Sequence, residues 1–185
     1  MRVFPAFLLA AFLLALGLGG AAHADQKDPR LPELFSALAK APTPEVAQPI
    51  ELHIWEIWFE HPDPVIAKLM ENAVRAMAVD DFAAAERALN QVVVLAPDYA
   101  EGWNRRATLY FLTKRYDASL ADIDTVLALE PRHFGALSGQ GLCFMAKENL
   151  EAAADAFQHA LDVNPQMLGA RENLDALKKI LGDDI

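Results

Sequence analysis

The side chains most able to do chemistry in this 185-residue chain are its histidines, its one cysteine and a few paired acids. Beyond residue 24, His53, His61, His133 and His159 include no pair spaced i, i+4 as in a helical metal motif. No cysteine or carboxylate cluster joins them in the pattern of a zinc site. His53 with Glu56 is the nearest approach to a two-ligand motif, and such a pair reads more simply as two neighbours on a helix surface. Asp122 and Asp124 would point to different sides of a helix, and Asp80-Asp81 falls in a turn. Capping and solvation account for both pairs better than general acid–base catalysis does. Gly139 and Gly141 lie inside a helical stretch, so they do not form a phosphate loop, and Cys143 reads as a small core residue. No catalytic residue, cofactor or metal is therefore expected, and the chain reads as a binding protein and not an enzyme.

Bulk properties narrow the possibilities further. At 54% hydrophobic, the chain is long enough for one well-buried domain. Met1-Arg2, an apolar run from Val3 to Leu16, small residues from Gly17 to Ala21 and Ala22-His23-Ala24 together read as a secretory signal peptide over residues 1–24. The competing reading is an uncleaved anchor, since residues 3–22 are long enough to span a bilayer core of about 30 Å. With Cys143 as the sole cysteine, none stands near the processing site to take a lipid, and no internal disulfide can form. Cleavage would remove Arg2 and no acid, taking the formal charge from −10 to −11. That charge disfavours nucleic acid and anionic membrane surfaces. The expectation is an exported protein with no stable membrane span after cleavage, periplasmic in a Gram-negative source and otherwise secreted.

The elements that would position any site follow from self-comparison. Residues 34 apart match in type: Pro97, Pro131 and Pro165; Leu69, Trp103 and Leu137; Ala73, Ala107 and Gly141; Ala76, Tyr110 and Phe144; Phe82, Tyr116 and Leu150; Ala85, Ser119 and Ala153; Leu89, Ile123 and Phe157. Small residues let two helices approach, bulky ones fill the adjacent gap, and each proline ends or starts a helix. This pattern resembles the tetratricopeptide repeat over Val65 to about Gln166, with departures at Asn72, Arg106 and Gln140 where the motif prefers Leu, and at Ala76 where it prefers Tyr. The resemblance implies an all-α fold: a right-handed α-solenoid of three helix-turn-helix repeats at about 66–99, 100–133 and 134–167.

Turns between paired helices are expected at Asp80-Asp81 and Glu148-Asn149, and Asp98 with Glu101 reads as an N-cap with a supporting acid. Residues 167–181 read as a capping helix, with Leu168, Leu174, Leu177 and Leu181 on its apolar side and Gly182 as its stop. Residues 25–64 read as an N-terminal helical extension. It has a short helix over Leu31 to Lys40, a breaker at Ala41-Pro42-Thr43-Pro44, and a second helix secure from Ile50 to Phe59, where Trp55 and Trp58 lie. This degenerate pair is expected to cap the front of the solenoid, and residues 65–185 form the repeat domain.

In the tetratricopeptide family the first helix of each repeat lines a concave partner groove. Carried over by register, its slots hold Met70, Glu71, Val74 and Met77, then Glu101, Asn104, Arg105, Thr108, Phe111 and Leu112, then Ser138, Leu142 and Met145. The wall is rich in Met and aliphatic groups, which suits a peptide or amphipathic helix, and Arg105 with Asn104 could orient a carboxylate. The Lys/Asn/Arg clamp of chaperone-tail receptors is mostly absent, because its slots hold Met70, Val74, Gly135 and Gly139. The expectation is a scaffold for another protein or peptide. The alternatives are a groove covered by the chain's own N-terminal segment, or a self-assembling structural protein that forms homo-oligomers.

Overall fold

The computed structural model describes residues 26–182; the expected signal peptide lies outside them. Among the described residues there are nine α-helices and no strand. They are α1 (Leu31–Ala39), α2 (Pro44–Phe59), α3 (Pro64–Ala78), α4 (Phe82–Leu95), α5 (Ala100–Leu112), α6 (Tyr116–Leu129), α7 (Phe134–Ala146), α8 (Leu150–Val163) and α9 (Leu168–Leu181). The pairs α3–α4, α5–α6 and α7–α8 are the three repeats, stacked in order and followed by α9.

Each repeat is built as its residue types dictate. Ala73, Ala107 and Gly141 are buried on the first helices, against Ala85, Ser119 and Ala153 and then Leu89, Ile123 and Phe157 on the second helices. At Gly141 even a methyl group would stand 2.7 Å from the Phe157 ring, so glycine sets the closeness of α7 and α8. The turn within each repeat places one residue in the left-handed region, Asp80, Lys114 and Glu148, again 34 apart. The following amides close back on the helix, from Asp81 to Ala76, Arg115 to Tyr110 and Asn149 to Phe144. Asp81 and Asn149 then cap α4 and α8 by accepting from the amides of Ala84 and Ala152.

Three local expectations are corrected. The Asp98 carboxylate does not cap α5. It meets Lys27 at 3.0 Å, and the free amide of Ala100 donates instead to Gln26 Oε1 at 3.3 Å. Helix α2 starts at Pro44, inside the expected breaker and ahead of the secure stretch from Ile50, because a proline in the first turn loses no helical bond and Pro49, on the exposed side, removes only one. On α9 the buried seam is Ala170, Leu174 and Leu177, and Leu168 faces solvent at 57% exposure, since the seam repeats at i, i+4, i+7 and Leu168 lies off it.

The largest departure concerns α1 and α2, which do not stack in front of α3. They form an antiparallel strap across the three proline turns, two that join the repeats and one that leads into α9. At one end Gln26 and Lys27 hold Asp98, and the Tyr99 hydroxyl donates to the Phe59 carbonyl at 2.8 Å. In the middle Arg132 lies 4.1 Å over the Phe35 ring, and Trp55 and Trp58 pack on His133 and Phe134. At the far end Gln166 donates to the Ala41 carbonyl and Asn164 to Glu51. The strap carries its own apolar cluster: Leu31, Phe35, Leu38, Ala47, Ile54, Ile57 and Trp58, joined by Phe134 from the solenoid. The segment is too apolar on this side to remain wet, and the solenoid's turn edge offers the matching surface.

Candidate partner-binding face

The face built by the first helices has two parts, one covered by the strap and one open. Under the strap lies Glu101, in the first turn of α5, with no side-chain exposure. It accepts from Asn104 Nδ2 at 2.8 Å, Arg105 Nε at 2.5 Å and His133 Nε2 at 3.2 Å. His133 Nδ1 accepts the Ala136 amide at 3.1 Å, capping α7, so the ring proton sits on Nε2 and points at Glu101. Burial by itself would raise the Glu101 carboxyl pKa. The Arg105 charge, together with His133 and the Asn104 amide, outweighs burial and holds it below the ordinary carboxylate value. The Trp58 indole stacks on His133 at 4.0 Å and 8°, and its Nε1 is buried with no hydrogen-bond partner. Arg105 lies between the Trp55 and Phe59 rings, 5.8 and 5.6 Å from their centroids. The carboxylate that Arg105 and Asn104 orient is thus the chain's own.

The open part is a cleft of about 180 Å³ between α5 and α7, floored by α6. Asn104, Ala107, Thr108 and Phe111 line it from α5, Ser119 and Ile123 from α6, and Gly135, Ala136, Ser138, Gly139 and Leu142 from α7, with Met167 at its edge. Gly139 opens the cleft: a Cβ there would meet only Ile123, at an ordinary 3.7 Å. Gly135 has the opposite surroundings, since a Cβ would stand 2.5 Å from the Trp55 ring. The cleft floor is also tied down, with Ser119 Oγ donating to the Ala107 carbonyl and the buried Cys143 thiol donating to Ser119. Burial raises the Cys143 thiol pKa despite that bond, so the sulfur stays a protonated packing group.

The structure brings together five of the expected groove residues at the cleft: Asn104, Thr108, Phe111, Ser138 and Leu142. Glu101 and Arg105 lie beneath the strap, while Met70 is wholly buried in the first-repeat core with Met77 packed against it. Val74 is half-buried, and Glu71 is exposed and paired with Lys68 and Arg75. Leu112 faces solvent away from the cleft, and Met145 packs in the third-repeat core. Trp55, Ile123, Met167 and the steric roles of Gly135 and Gly139 lie outside the expected groove; two glycines one turn apart on a first helix are the sequence signal that points to them. Asp122, expected to be solvated, is instead buried and accepts from Arg106 Nε and Nη2 at 2.7 and 2.8 Å. Among the described residues no group of three His, Cys, Asp or Glu could hold a metal ion, and His53 and Glu56 are exposed.

Stacked antiparallel helix pairs in a 34-residue register, with a cleft on the first-helix face, define a helical-repeat solenoid. The family model described as tetratricopeptide repeat matches residues 70–123 and 114–167, and the chain belongs to that family. A TPR repeat-containing protein of Rhizobium etli is 38% identical over 155 residues, covering 83% of this chain and 76% of that protein. Among solved structures, the Sgt2 TPR domain from Aspergillus fumigatus is similar in fold with a TM-score of 0.62 at 20% identity, over 65% of this chain and 81% of that one. The first TPR domain of Spaghetti bound to the HSP90 peptide SRMEEVD has a TM-score of 0.61 at 21% identity, over 63% of this chain and 92% of that one. Domains of this fold commonly mediate protein–protein contacts, as that peptide complex illustrates. No helix among the described residues is long and apolar enough to cross a membrane.

Proposed function

We propose that the protein is a non-enzymatic adaptor that holds a partner polypeptide by one large apolar side chain in the cleft between α5 and α7. The observation that carries this reading is the cleft itself: five register-derived groove residues meet around about 180 Å³ of mostly apolar space. A cavity of about 150 Å³ is enough for a benzene ring. An acidic chaperone tail is a poor fit, because Arg105 and Asn104 already serve Glu101. Recovery of partners on wild-type protein is expected to be lost on a folded Phe111→Glu, Leu142→Glu variant. Equal recovery from both would sink the groove reading.

Self-assembly is the second reading. It is supported by Val65 and Val79, 58% and 74% exposed at the two ends of α3, a helix the strap leaves unstacked. Light scattering separates the two: a mass that rises with concentration favours self-assembly, and a monomer at high concentration argues against it. Export to the cell envelope, to the periplasm in a Gram-negative source, rests on residues 1–24. A mass corresponding to a chain beginning at Asp25 would support it, and a full-length mass in the cytosolic fraction would contradict it.

A further inference from the structure

The strap fills one slot of the repeat lattice and passes over the next. In the first turn of successive first helices, 34 residues apart, stand Glu101, Gly135 and Gly169. In α5 the Glu101 side chain fills its own slot, fully buried. In α7 the slot is bare backbone and Trp55 fills it, its ring 2.5 Å from where a Gly135 Cβ would be. In α9 the slot is again bare backbone, and nothing lies within 4 Å of where a Gly169 Cβ would be.

The α2 residue in line with Gly169 is Gln48, seven positions before Trp55. Two helical turns span about 10.5 Å, close to the 8–10 Å that separates packed helices. Gln48 is exposed, and a cavity of about 440 Å³ remains between α2 and α9. Its floor is Met167 and Leu168, the counterparts of His133 and Phe134 that pack around Trp55. Phe134 is fully buried, whereas Leu168 is left largely in water. Glu45 and Glu51 line the α2 side.

We propose that this vacant slot docks an aromatic side chain of a partner polypeptide flanked by basic residues. The ring lies over Gly169 against Leu168 and Met167 as Trp55 lies over Gly135, and the flanking cations face Glu45 and Glu51. The surface continues the α2 interface and shares only Met167 with the cleft between α5 and α7. It does not depend on that cleft having a ligand.

The test is a nuclear magnetic resonance titration of the purified protein with three blocked tripeptides, Lys-Trp-Lys, Glu-Trp-Glu and Lys-Ala-Lys. Saturable shifts of the Gly169 and Leu168 amides are expected with Lys-Trp-Lys, and much weaker ones with the other two. Gly169→Phe fills the slot from within, in open space, and should abolish the response while keeping the helical signal. Glu45→Gln should weaken binding about two- to fivefold, and Gly139→Leu, which blocks the cleft, should leave it unchanged. The proposal is overturned by shifts confined to the cleft residues Gly139 and Leu142, by no saturable shift, by an equal response to Lys-Ala-Lys, or by wild-type binding in Gly169→Phe.

Discussion

A carboxylate shut away from water survives at Glu101 because two donors from α5 and the His133 cap of α7 meet it at the positive end of a helix. Its folded-state pKa lies below the ordinary 4.5. The stabilisation is therefore complete above that value and is lost as pH falls through the folded value. Glu101→Gln should cost about 2–3 kcal/mol at pH 7, with the wild-type and variant urea curves converging as the acid limb is approached; identical curves at pH 7 would contradict the network. Arg106 and Asp122 make a second pair whose origin can be traced in the repeat. Arg106 stands where the family prefers Leu, and the positions equivalent to Asp122 are Ala88 and Ala156. Arg106→Leu alone strands a buried acid and should cost about 3 kcal/mol. Adding Asp122→Ala should restore stability to near wild type in the same denaturation assay. The Arg106 departure was legible in the sequence. The same comparison between repeats marks Asp122, set between Ala88 and Ala156, as unusual, but the contact between the two side chains comes only from the packing of α5 on α6.

At the scale of the helix, two glycines of α7 make the clearest contrast. Gly139→Ala replaces a poor helix former where a methyl group has room, so thermal denaturation should show a gain of up to about 1 kcal/mol. Gly135→Ala has the same propensity gain but drives a methyl into Trp55, which is wedged against Trp58, His133 and Phe134. A net loss of about 1–3 kcal/mol is expected. Matching gains at both sites would show that Trp55 does not dock on α7 in solution. The repeat helices could be read from period and proline alone, since their partners lie within one repeat. The path of α1 and α2 could not. Their apolar faces were visible, but their contacts are with turns far along the chain, and no local pattern encodes which edge of a solenoid a flanking helix will choose.

Taken as a molecule, the chain is a solenoid braced along one edge. The strap touches the turns at Asp98-Tyr99, Arg132-His133 and Gln166-Met167, so it ties together the joints about which repeats would flex. Buried polar groups gather along that edge, among them Gln26, Asp28, Glu101, Glu130, His133 and Asn164, while the open cleft is mostly apolar. Bracing covers the start of the first-helix face and leaves the cleft between α5 and α7 open, a division the 34-residue register alone could not reveal. The register supplied five of its lining residues, and the limits of the cleft come from Trp55 and the two glycines. Whether the cleft holds a partner polypeptide is tested most directly by site-specific photocrosslinking in cells from Thr108, at the cleft, and from Asp124, exposed on α6. A discrete polypeptide adduct is expected from Thr108 and not from Asp124, and it should disappear when Gly139→Leu fills the cleft. The same adducts from both positions, or a Thr108 adduct indifferent to Gly139→Leu, would show that the cleft is not where a partner binds.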